Sequence, residues 1–151
     1  KSKILIESST EIKGLKAGSI SLVVTSPPFL DVVDYATDNW LRCWFNHVDP
    51  EEIPIWIHRK IEDWSKSITE AFKRMFILLK KGGYVAFEVG EVRNGKVKLE
   101  DHVIPAAEHA GLVPIMVLVN DQKFTKTSNC WGVDNLKKGT NTNRIVLLKK
   151  P

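Results

Sequence analysis

The sequence predicts an α/β fold with a largely parallel sheet, because apolar runs of strand length alternate with segments of helical periodicity. Two β-branched runs, residues 3–7 and 20–25, come first. A long stretch, residues 54–81, follows, in which Ile57, Ile61, Trp64, Ile68, Phe72, Met75 and Leu79 recur at spacings of three and four. The last two runs, residues 113–119 and 144–149, have no helix between them. They are therefore expected to pair antiparallel at the edge of the sheet.

The elements can be justified in order. The run 3–7 is Lys-Ile-Leu-Ile-Glu and ends at Ser8-Ser9-Thr10; the run 20–25 is stopped by Pro27-Pro28. Gly82-Gly83 stands after the periodic stretch where a helix C-cap belongs. Residues 84–89 read as the next strand. Residues 99–110, followed by Gly111, read as a second helix, on which Pro105 sits deep unless the helix starts near it. Residues 120–143 are polar and rich in Asn and Lys, and an irregular segment of that length is more often functional than idle. Trp40, Trp44, Trp56 and Trp64 fall partly at helical spacing and are assigned to the core. Asp31, Asp34 and Asp38 read as helix caps or substrate-positioning groups, since phosphate contacts require positive charge.

At 151 residues, 43% hydrophobic and 26% charged, the chain has the composition of one globular domain spanning 1–151, which excludes disordered and collagen-like classes. No window approaches about 18 uninterrupted apolar residues, and no basic, apolar leader opens the chain, so no membrane partner is expected and the cytoplasm is the expected location. Cys43 and Cys130 are too few for a disulfide scaffold or a four-ligand zinc site, and both are expected to be reduced. Cys43 and His47 are four apart without a second pair nearby, so no metal is expected. The net charge of +4, from 22 basic against 18 acidic residues, permits a polyanionic partner without requiring one. The chain starts at Lys1 without a Met and runs directly into Ile4-Leu5-Ile6, which suggests a piece of something longer.

In open α/β sheets ligands bind beyond the carboxyl ends of strands. After the second run stands Thr25-Ser26-Pro27-Pro28-Phe29. Two consecutive prolines fix φ twice and remove two N–H donors, so the chain leaves the sheet as a rigid hook that presents acceptors. A hydroxyl at Ser26, carbonyls at Ser26 and Pro27 and an aromatic face at Phe29 suit a planar group bearing an NH2. Glu88 and Gly90, directly after a strand, are candidates to border the same cleft.

The run Val23-Val24-Thr25-Ser26-Pro27-Pro28-Phe29 resembles the Asp/Asn/Ser-Pro-Pro-Tyr/Phe motif of the S-adenosylmethionine-dependent DNA amino-methyltransferases. The form with Ser first is most similar to the N4-cytosine enzymes; Asp is typical of N6-adenine enzymes. Lys3 to Leu15 looks like the family's opening strand and acidic turn, residues 78–85 are similar to its Leu-Lys-x-Gly-Gly corner, and residues 142–149 look like its last strand. The resemblance implies a partial Rossmann-like methyltransferase fold. It also implies a site made of Ser26, Pro27, Pro28 and Phe29 as the catalytic hook, with Glu7, Ser8, Thr25 and Ser26 toward S-adenosylmethionine. Tyr35 is the most plausible further contact with a flipped base, and Lys123, Lys126, Asn129 and Trp131 are candidates for contact with DNA.

The sequence departs from that family in two places. Glu7-Ser8-Ser9 stands where an Asp is usual, and no Gly-x-Gly occurs anywhere in the chain. The resemblance therefore implies the catalytic half of a methyltransferase, truncated or completed by a second polypeptide that carries the glycine-rich cofactor loop. The alternatives are an N6-adenine enzyme and a non-catalytic DNA-binding or regulatory subunit.

Overall fold

A computed structural model describes residues 2–28, 30, 34–53, 55–92, 97–121 and 142–151. Its elements are β1 (Ile20–Thr25), α1 (Tyr35–Phe45), a 3-10 turn (Pro50–Glu52), α2 (Ile61–Leu78), β2 (Leu79–Val92), β3 (Val97–Lys98), α3 (Glu100–His109), β4 (Val113–Asp121) and β5 (Thr142–Lys149). The sheet order is β1-β2-β5-β4, with the short β3 paired to β2. β1 runs parallel to β2, whereas β5 is antiparallel to both β2 and β4. Three main strands thus share one direction and β5 is the reversed strand between two of them. The fold is α/β with a mixed sheet, and the expected antiparallel edge pair is β4 with β5.

The core follows from the periodicity of α2. Its buried residues, Trp64, Ile68, Ala71, Phe72, Met75 and Leu78, form one stripe. That stripe packs on the alternate residues Val85, Phe87, Val89, Val146 and Leu148 of β2 and β5. Phe72 and Phe87 meet with ring centroids 4.8 Å apart. Burying each such ring contributes about 2–3 kcal/mol. Glu62 and Asp63 complement the dipole in the first turn of α2. Helix α3 lies beside α2 and adds Val103, Ala106 and Ala107 to the same core.

Several expectations are corrected. Residues 3–7 form no strand, and Ile4 and Ile6 are 90% and 99% exposed. A strand needs a neighbour for its backbone polar groups, and none stands beside this segment among the described residues. The segment is tied instead to its own loop, where Lys3 Nζ donates to the Gly14 carbonyl. The long helix is shorter than the periodicity suggested: it begins at Ile61, Ile57 is exposed, and Leu79 already belongs to β2.

Gly82-Gly83 is not a helix cap. It lies inside β2, where the register jumps from Ile20 opposite Leu79 to Leu22 opposite Tyr84. Gly82 takes φ 75°, which favours glycine, and a Cβ on Gly83 would stand 3.0 Å from the Lys80 carbonyl oxygen. Pro105 lies well inside α3, which starts at Glu100. The carbonyl it deprives of a donor is that of Asp101, an exposed first-turn residue within reach of water.

Trp40 and Trp44 are exposed, not core. Helix α1 buries only Cys43, a free thiol, and Trp44 stacks edge-on against its neighbour Phe45. Trp64 is in the core as expected, and Trp56 packs half-buried against it. Cys130 lies outside the described residues.

Candidate active site

Strand β1 ends at Thr25, and Ser26, Pro27 and Pro28 leave the sheet at its carboxyl end. The hook is held from below. Trp64, in the first turn of α2 and 1% exposed, donates its indole Nε1–H to the Pro28 carbonyl at 2.9 Å. Two residues further, Leu30 is buried in the core. The Pro28 carbonyl is thereby engaged inward, and Ser26 stays exposed with Pro27 half-buried. Phe29 lies outside the described residues.

The neighbouring strands supply the rest of that edge. Thr25 stands opposite Phe87, so Glu88 is the next residue of β2 beyond the end of β1. The half-buried Glu88 carboxylate accepts a hydrogen bond from Asn143 Nδ2 at the start of β5. Gly90 is buried opposite Asn143. On the core side, Arg144 Nε lies 2.5 Å from Glu100 Oε1 at the start of α3, a nearly buried ion pair that ties helix to sheet. β4 ends at Asp121 opposite Thr142 at this same end of the sheet, with the polar segment between them in the sequence. Lys123, Lys126, Asn129 and Trp131 belong to that segment and lie outside the described residues.

Of the acidic residues after the hook, Asp34 caps α1. Its carboxylate accepts from the Thr37 N–H at 3.1 Å and the Thr37 hydroxyl at 2.8 Å. The hydroxyl bond, and then the backbone bond, hold the Asp34 carboxyl below its ordinary pKa of 3.8. Asp38 lies in the first turn of the same helix, and Asp31 lies outside the described residues. Tyr35 opens α1 and, with Asn39 and Arg42, lines a cleft of about 450 Å³ closed by Ile53 and Ile55.

The residues expected toward the cofactor divide. Thr25 adjoins Ser26. Glu7 and Ser8 turn to their own loop: the Glu7 carboxylate accepts from the N–H groups of Lys13 at 2.8 Å and Gly14 at 3.1 Å, and the Ser8 hydroxyl meets Thr10 Oγ1 at 2.9 Å. Sequence reasoning placed Trp64 in the core but missed its hydrogen bond to the hook, and it missed the pairing of Glu88 with Asn143. The signal for the first was a polar N–H on a buried ring, which usually finds a partner.

No family model and no curated protein matches this sequence. Solved structures do match. A putative DNA modification methylase from Thermus thermophilus superposes with TM-score 0.60 at 16% identity, over 97% of this chain and 52% of that one. The same methylase complexed with S-adenosyl-L-methionine gives TM-score 0.58 at 17% identity, over 95% and 51%. An S-adenosylmethionine-dependent methyltransferase from Methanosarcina mazei gives 0.51 at 9% identity, over 95% and 65%. The likeness establishes a methyltransferase-type α/β fold, and the chain spans about half the length of the Thermus methylase.

Proposed function

We propose that this chain carries the amine-binding end of an S-adenosylmethionine-dependent DNA methyltransferase whose target is the exocyclic N4 of a flipped cytosine. The observation that carries the proposal is the Ser26-Pro27-Pro28 hook at the carboxyl end of β1, pinned by Trp64 in a sheet of methyltransferase type. A base amine is a poor nucleophile, because its lone pair is delocalised into the ring. Two acceptors on its N–H groups draw it toward tetrahedral geometry and restore that lone pair. Ser26 Oγ and the Pro27 carbonyl are those acceptors, since the indole already engages Pro28. Phe29 is the aromatic face for the flipped base, a contact worth about 1–3 kcal/mol. Tyr35 is a further contact with the base. Lys123 and Lys126 are assigned to DNA phosphates, with Asn129 and Trp131 beside them.

S-adenosylmethionine, when bound, supplies an already electrophilic methyl group, so alignment of the amine is the main task and no strong general base is required. This chain's residues fit the acceptor end of such a site and not the cradle for the cofactor. The sequence has no Gly-x-Gly. Gly82-Gly83 sits at the start of β2, away from the hook, and Glu7 closes its own loop. That lack favours, as a second reading, a DNA-binding or regulatory subunit that keeps the fold without catalysis.

Ser26 also bears on the base. An Asp there would bring a charge and two acceptor oxygens, whereas Ser brings one neutral oxygen that both donates and accepts. The chemistry tilts only slightly, and the motif's resemblance favours cytosine N4 over adenine N6. Single-turnover transfer of a labelled methyl group, in the assembly that includes the cofactor loop, tests the hook. Ser26→Ala is expected to slow transfer roughly ten- to a thousandfold while folding is unchanged. Equal rates would refute the mechanism.

A further inference from the structure

Helix α1 is held to the molecule by one face only. Tyr35, Asn39, Arg42, Cys43 and Asn46 line the cleft closed by Ile53 and Ile55, and Cys43 is the one residue of the helix that is buried. On the opposite face Trp40, Leu41, Trp44 and Phe45 are 50%, 46%, 65% and 69% exposed. Contiguous exposed apolar surface of this kind marks an interaction site. The face is charged at one end. Asp34, Asp38, Leu41 and Phe45 follow one another at spacings of four, three and four, so they form one line along the helix, acidic at its amino end and apolar at its carboxyl end. Asp49, Glu51 and Glu52 come next, in the 3-10 turn that touches α1. Residues 34–53 thus hold five carboxylates and one guanidinium, in a chain whose net charge is +4. Among the described residues none of the five carboxylates is in an ion pair. The one guanidinium, Arg42, donates to the neutral Asn39 amide oxygen at 2.7 Å.

We infer that this face of α1 is a docking surface for another protein, and that its occupant is an amphipathic helix whose polar side is basic. The apolar residues of that helix, at spacings of three and four, pack on Trp40, Trp44 and Phe45, and its Lys or Arg side chains meet Asp34 and Asp38. Three observations select this occupant. Exposed tryptophan and phenylalanine side chains are the kind of anchor that carries most of the energy of protein interfaces. The unpaired carboxylates set the sign of the partner: they repel the phosphates of DNA and of anionic lipids and steer a cationic chain toward the helix. A second copy of this chain offers no basic helix among its described residues. The exposed charges of α2 are mixed, Glu62, Asp63 and Glu70 against Lys66 and Lys73, and α3 exposes Asp101 and Glu108. The inference does not rest on the reaction proposed for the hook.

Titration of the isotope-labelled chain with designed peptides, followed by NMR, tests this. The probes are a Leu/Lys helix of about 18 residues with Leu at spacings of three and four, the same helix with Glu in place of Lys, and the Leu/Lys composition in scrambled order. The Leu/Lys helix is expected to shift the Trp40 and Trp44 indole signals and the Asp38 amide, with a Kd on the order of 10–100 μM. The other two should bind at least about tenfold more weakly. Trp44→Ala should keep the melting curve, because the ring is outside the core, and should lose at least about tenfold in affinity for the Leu/Lys helix. Phe45→Ala repeats that measurement on a second anchor. Asp38→Asn should weaken binding about two- to fivefold at low salt and leave it unchanged at high salt. Equal binding of the Lys and Glu helices, full affinity in both aromatic variants, or shifts confined to residues outside α1 would overturn the inference. So would the same indole shifts on adding a short DNA duplex, which would make the face a nucleic-acid surface, or on concentrating the chain alone, which would give it to a second copy.

Discussion

Helices α2 and α1 are both amphipathic, and among the described residues only α2 turns its apolar face onto the core. α2 turns Trp64, Ile68, Phe72 and Met75 onto the sheet and buries them, whereas α1 buries Cys43 alone and leaves Trp40, Leu41, Trp44 and Phe45 in solvent. The two faces of the sheet repeat the contrast, with Val85 and Phe87 enclosed on one side and Val24 and Leu118 open on the other. A hydrophobic pattern tells which residues share a face, and the presence of a partner decides whether that face becomes core.

The contrast can be broken by substitution. Phe72→Ala should cost about 3–5 kcal/mol, because a fully buried ring against Phe87 is replaced by a cavity. Trp44→Ala, at 65% exposure, should change stability by no more than about 0.5 kcal/mol despite removing a larger ring. Urea denaturation of both variants measures the difference. Similar losses would mean that α1 packs on the core after all.

Trp64 joins the buried helix to the exposed hook, and Trp64→Phe separates its two roles. Most of the ring's packing survives, while the Pro28 carbonyl loses its donor, at about 1–3 kcal/mol if the carbonyl stays buried. Transfer by this variant should fall more than its stability alone explains, because the hook loosens. A variant that is destabilised yet transfers at the normal rate would confine Trp64 to packing.

The smallest effect belongs to the cap of α1. The Asp34 carboxyl has a folded-state pKa below its ordinary value, so its contribution is complete above about pH 3.8 and is lost as pH falls through the lowered value. The protection of the Thr37 amide, judged by its exchange rate relative to that of an unprotected amide at the same pH, should fall only in that acid range. Protection that is already lost near neutral pH would contradict the cap.

Strands β1, β2, β4 and β5, helix α3 and the antiparallel edge pair were legible in the sequence, because alternation and helical spacing are local properties. Residues 3–7 carry an equally clear strand signal and form no strand, since pairing needs a neighbour that no pattern within the run reveals. Gly82-Gly83 misled for a related reason. A glycine pair suits a helix end or a sharp bend inside a strand, and the ladder that settles the choice joins Gly82 N–H to the Lys150 carbonyl, far along the chain. The hook's position after β1 was readable from Pro27-Pro28, and its anchor was not, because Trp64 lies 36 residues away.

Mass spectrometry of nucleosides tests the central claim most directly. DNA is exposed to the protein together with a polypeptide that supplies the glycine-rich cofactor loop, in the presence of S-adenosylmethionine, and is then digested. The account predicts N4-methyldeoxycytidine that falls sharply in the Ser26→Ala variant. N6-methyldeoxyadenosine in its place would refute the base assignment, and no methylated nucleoside from the assembled complex would contradict the proposal that this hook prepares a base amine for methyl transfer.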